Sequence, residues 1–138
     1  MLGCVLLSTE NNGDSMFKPI LQTILHESSG ALGVFLLGDD GIIIDQVRAD
    51  LTSADEQLAL VVELAAGIKG IRQTAEVLEA GGLNEVVIRY EKLTLLVHVL
   101  SEEYFVVLLL PPQMLSGKGS YLLKREAPRL RAGLNQEM

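Results

Sequence analysis

SADEQLALVVELAAGIKGIRQTAEVLEAGG, residues 53–82, is the stretch on which the fold turns. It opens on Ser53-Ala54-Asp55-Glu56, a capping box in which Ser53 bonds the amide of the third helical residue and Glu56 reaches back to the Ser53 amide. Gly81-Gly82 stops it, so a long helix is expected to run to about Ala80. Between Leu58 and Ile68 only Glu63 is charged, and apolar side chains cover more than one face. Leu60, Leu64, Ile68, Ile71, Ala75 and Leu78 form one stripe at spacings of three and four, the pattern expected to lie on a sheet. Leu58, Val61, Val62 and Ala65 form a second stripe, and one sheet covers only one of the two. This second stripe, with Ala66 and Lys69 beside it, is therefore expected to meet another protein. Ala66, Gly67 and Gly70 are small positions at which a second backbone could come close.

Working outward, Gly38-Asp39-Asp40-Gly41 separates the apolar runs 31–37 and 42–48, a strong hairpin signal. Upstream, Met16, Phe17, Ile20, Leu21, Ile24 and Leu25 mark a first helix, with Asp14 or Ser15 as N-cap and Gly30 as stop. Pro19 is tolerable only in its first turn. Downstream, residues 85–90, 93–100 and 104–110 read as three strands joined by short turns, an antiparallel meander. The run 104–110 is apolar on both faces and reads as central. In 85–90, Val86, Ile88 and Tyr90 alternate with Glu85, Val87, Arg89 and Glu91, the pattern of a half-buried edge strand open to pairing through Val87 and Arg89. Pro111-Pro112 ends the meander, and a basic helix from about Lys118, bent or broken at Pro128, completes the chain. The order is α-β-β-α-β-β-β-α.

At 138 residues the chain is one domain with a core that needs no disulfide or metal staple. It holds 26 leucines but only six aromatic residues, so that core is aliphatic. Its formal charge is −7, divided into −10 over residues 1–117 and +3 over 118–138. An acidic body argues against nucleic-acid binding, which needs a broad basic footprint. No apolar run is long enough to span a bilayer. Met1-Leu2-Gly3-Cys4 has too little before Cys4 for a lipoprotein signal, so a cytoplasmic location is expected.

Chemistry is sparse. Cys4 is the only cysteine, and any nucleophilic triad would have to use His26 or His98. His98 lies in an apolar strand and reads as a satisfied core or interface residue. Asp39, Asp40 and Asp45 lack the ligand spacing of a calcium loop. Ser116-Gly117-Lys118-Gly119-Ser120 fails as a phosphate loop, because Pro112 stands where its first glycine is required. No catalytic residue, metal or cofactor is expected.

Four segments carry a family resemblance: Gly38-Asp39-Asp40-Gly41-Ile42, Ser101-Glu102-Glu103-Tyr104-Phe105, Gly117-Lys118-Gly119 and Ala127-Pro128-Arg129-Leu130-Arg131. In this order, and with the element order above, the chain resembles the roadblock (dynein light chain) superfamily, and within it the bacterial MglC-like proteins. The resemblance covers residues 16–134, leaving 1–15 as an N-terminal stub and linker and 135–138 as a tail. It implies an α+β fold with a five-stranded antiparallel sheet, helices on both faces, and a homodimer whose edge strands join into one sheet. It also implies a non-catalytic adaptor in the polarity and motility module of an MglA-type small GTPase, contacting an MglB-type roadblock protein. Asp39, Asp40, Gly41 and Ile42 at the hairpin tip are the expected partner-binding residues, a plain solvated turn being the alternative. A competing expectation is direct GTPase regulation, with Arg48, Arg72 and Arg89 as candidate inserted arginines. A small-molecule sensor is weaker, since no convergent polar cluster supports it.

Overall fold

The computed structural model describes residues 16–49 and 54–137. The stub at 1–15 with Cys4, the caps Asp14 and Ser15, and Ser53 of the capping box lie outside them. The elements are α1 (Lys18–Glu27), β1 (Gly33–Gly38), β2 (Ile43–Arg48), α2 (Ala54–Leu78), β3 (Glu85–Arg89), β4 (Thr94–Val99), β5 (Tyr104–Leu110) and α3 (Ser116–Glu137). The expected order is met. Pro19 occupies the first turn of α1, where a missing N–H costs no helical bond.

All five strands join one antiparallel sheet in the order β2-β1-β5-β4-β3. Among the described residues β5 is central, and β2 and β3 are the two edges. Strand alternation divides the core in two. Val34, Leu36, Leu96, Val106 and Leu108 face α1 and α3, where Leu21, Ile24, Leu123 and Leu130 cover them. Phe35, Leu37, Leu95, Val97, Phe105 and Val107 face the other way and are covered by α2. The fold is therefore three layers, with two helices on one face of the sheet and one on the other.

Two expectations about the helices need correction. α2 lays only the first half of the Leu60, Leu64, Ile68, Ile71, Ala75 and Leu78 stripe on the sheet. Its buried residues are Val61, Ala65 and Ile68, with Leu58, Leu60 and Leu64 half-buried beside them, while Ile71 and Leu78 are exposed. Ala65 shares this core with Phe35 and Phe105. Val61 and Ala65 thus lie inside their own chain and cannot form an outward face. A Val61→Glu change would challenge folding before it challenged association.

The second correction concerns the last helix: of the bend or break expected at Pro128, the break is absent, and the helix runs from Ser116 to Glu137. Its first turns approach the sheet closely at Gly119, where an added Cβ would stand 2.7 Å from Leu96 Cδ1 and 2.8 Å from Leu108 Cδ2.

Candidate interaction site

The β1–β2 hairpin turns on Gly38–Gly41. Gly41 donates to the Gly38 carbonyl at 3.0 Å with a φ of +88°, the left-handed conformation that glycine adopts without strain. Asp40 accepts the Ile42 amide through Oδ1 at 3.0 Å, so its carboxylate shapes the turn as well as charging it. Ile42 is left 65% exposed at the tip. Asp39 donates its amide to the Glu103 carbonyl at 2.8 Å, which ties this turn to the β4–β5 turn. Asp39, Asp40, Glu102 and Glu103 thus share one end of the sheet.

α2 crosses that end. A Cβ placed on Gly41 would meet Val62 Cγ1 at 3.5 Å, so the hairpin lies against the helix at Val62. Further along, Arg72 donates to the carbonyls of Ser101, at 2.7 Å, and Glu102. The structure therefore joins two residue sets that the sequence kept apart, since Val62 borders the hairpin tip.

The other residues expected at a self-interface separate clearly. Val61 and Ala65 are core, and Leu58 is half-buried against the same cluster. Val62, Ala66, Lys69, Val87 and Arg89 are exposed. Gly67 and Gly70 have open space where a side chain would stand. Missed by sequence reasoning were Ile71, Val77 and Leu78 late in α2 and Tyr90 after β3, all exposed apolar groups. Their signal was a helix that stays apolar beyond the length the sheet covers.

Along β3, Val86 and Ile88 pack into the core on the α2 side. The alternate residues face α3, where Arg89 donates to Ser116 Oγ at 3.0 Å and Ser120 donates to Glu85. Two of the three arginines considered for insertion into a GTPase, Arg72 and Arg89, are thus held within the chain.

His98, on β4, is buried on the face covered by α3. Its Nδ1 lacks a hydrogen-bond partner among the described residues, so it is a core histidine but not a satisfied one. Among the described residues, no three His, Cys, Asp or Glu side chains come together as a metal site, and no helix is long and apolar enough to cross a membrane.

The comparison that decides the family is with the solved structure of MglC from Myxococcus xanthus. The two chains are 31% identical, with 84% of this chain and 97% of that one aligned at a TM-score of 0.62. The chain belongs to the roadblock/LC7 family. Two further structures share the roadblock fold at lower identity. The gliding protein MglB from Thermus thermophilus is 21% identical, covering 86% of this chain and 87% of its own, with a TM-score of 0.75. A Roadblock/LC7 domain from Streptomyces avermitilis is 18% identical, covering 83% and 94%, with a TM-score of 0.67. MglB is thus nearer in overall shape, whereas MglC is nearer in sequence. No family model and no curated protein sequence matches this roadblock chain.

Proposed function

We propose that this MglC-like chain is a non-catalytic homodimeric adaptor in the polarity and motility module of an MglA-type small GTPase. It works in the cytoplasm and binds an MglB-type roadblock protein, or a related regulator, through its first hairpin. The 31% identity with MglC over nearly all of that protein carries the reading. The GTPase, rather than this chain, holds the nucleotide.

The edge strand supports self-pairing. Tyr90 and Val99 donate to the Leu93 and Asn84 carbonyls, which assigns residues 84, 86, 88 and 90 to the β4 ladder. The backbone groups of Glu85, Val87 and Arg89 therefore point away from the sheet. Antiparallel pairing of two copies about Val87 would set Glu85 of each opposite Arg89 of the other, a favourable cross-strand charge pair formed twice by symmetry. Exposed Ile71, Val77 and Leu78, with the open positions Gly67 and Gly70, supply an apolar helix face to pack beside it.

The partner surface is the hairpin tip with its neighbours. Ile42 offers an exposed apolar anchor next to Gly41, which borders Val62, at the end of the sheet that also carries Asp39, Asp40, Glu102 and Glu103. Calorimetry with purified MglB-type and MglA-type proteins tests this. We expect binding to the MglB-type protein, weakened about tenfold or more by Ile42→Lys, and no change in single-turnover GTP hydrolysis on adding this chain. Hydrolysis faster by orders of magnitude would make it a direct regulator, and undiminished binding by the variant would remove the hairpin from the interface.

A further inference from the structure

The two edges of the sheet are finished differently. On β3 the outward groups of Glu85, Val87 and Arg89 are set for another strand. On β2, Ala49 donates to the Leu32 carbonyl and Gly38 to the Ile42 carbonyl. Between these points the register runs through Val34↔Val47 and Leu36↔Asp45, then slips to Leu37↔Ile43, leaving Ile44 as an extra, bulged residue. This alternation turns the N–H and C=O of Gln46 away from β1, toward the position an added strand would occupy.

Both of those groups are already taken. Asp45 Oδ1 accepts the Gln46 amide at 2.8 Å, and Lys18 Nζ, reaching across from α1, donates to the Gln46 carbonyl at 2.9 Å. The same ammonium stands 2.7 Å from Asp45 Oδ1. Lys18 and Asp45 are both buried. A pair of charges so far out of water gives little net stability over an apolar pair of similar volume, so stability alone does not explain it.

We infer that the Lys18–Asp45 pair, together with the Ile44 bulge, seals the β2 edge against a further strand and so confines growth of the sheet to β3. The ammonium sits where an incoming N–H would donate, and the carboxylate where an incoming C=O would accept. Charges and bulges are the general means by which sheet edges are closed to pairing. The inference does not rest on the proposed dimer, because it concerns growth beyond whatever species the unaltered chain forms.

The test is Lys18→Met with Asp45→Leu, which removes the charges and keeps the volume. The expected result is a folded protein, by circular dichroism and cooperative melting, whose mass in sedimentation exceeds that of the unaltered chain and climbs with concentration. Adding Gln46→Pro should bring the mass back, since proline lacks the outward N–H and costs no bond to β1. A folded double variant with unaltered mass at every concentration would overturn the inference, as would growth that Gln46→Pro leaves in place. Should the double variant fail to fold, amide exchange on the unaltered chain decides. The Gln46 amide should exchange on the order of 100-fold more slowly than the outward amide of Arg48, and equal rates would overturn the inference.

Discussion

His98 shows what one residue contributes to the behaviour of the chain. Burial is the main cause holding its pKa below the ordinary histidine value of 6.5; Arg131 and Lys124 of α3 act in the same direction, and Glu85, opposite it on β3, acts against them. Well above pH 6.5 the ring is neutral in both the folded and unfolded chain, so it contributes no pH dependence there. Below that value the unfolded chain takes up a proton that the folded chain refuses. Stability should therefore decline as pH falls from 6.5 toward the lowered native pKa, and level off beneath it. Urea unfolding of the unaltered chain and a His98→Leu variant, about one unit either side of the free histidine pKa, checks this. The unaltered chain should lose more stability on acidification, and equal losses would exclude His98 as the cause. The burial of His98 was legible from its apolar strand. Its unpartnered Nδ1 was not, because that depends on which groups α3 and β3 bring to the ring.

At the scale of elements, Pro128 is the instructive case. Proline inside a helix removes one hydrogen bond and crowds the preceding turn, which is why the sequence reads as a bend or break. Yet α3 runs unbroken from Ser116 to Glu137. Ala127 and Leu130 bury the inner face around Pro128, and Arg125 and Arg129 both pair with the buried Glu126 carboxylate at 2.8 Å. Tertiary packing thus carries a turn that local propensity disfavours. Pro128→Ala should stabilise the chain by about 1–2 kcal/mol, the helical gain less the added freedom of the unfolded chain, and thermal melting measures it. A fall in melting temperature would mean that the ring itself packs usefully. α2 teaches the converse. Its existence, length and ends were readable from the apolar spacing and from Gly81-Gly82, but its rotation was not. With large aliphatic residues on both candidate stripes, hydrophobicity alone gave no ranking, and the helix buries members of each, Val61 and Ala65 from one and Ile68 from the other.

At the scale of the whole molecule, the two helical layers among the described residues cover both faces of the sheet, so pairing of one sheet with another is left to its edges. Of the two edges, one carries outward groups occupied by an ion pair and the other carries Glu85, Val87 and Arg89. That asymmetry turns the question of self-association into a question about a single strand. Val87→Pro removes an outward N–H without breaking a bond of the β4 ladder, and edge strands are where proline is tolerated, so the fold should survive it. If β3 is the seam between two copies, the same change should weaken the dimer about tenfold or more, since a bond at the two-fold axis is lost twice. Sedimentation equilibrium across micromolar concentrations, with melting curves as the check on folding, separates the outcomes. A dimer that survives Val87→Pro at full strength would move the seam to the outer side of α2. An unaltered chain that sediments as a monomer throughout would overturn the self-pairing of this chain.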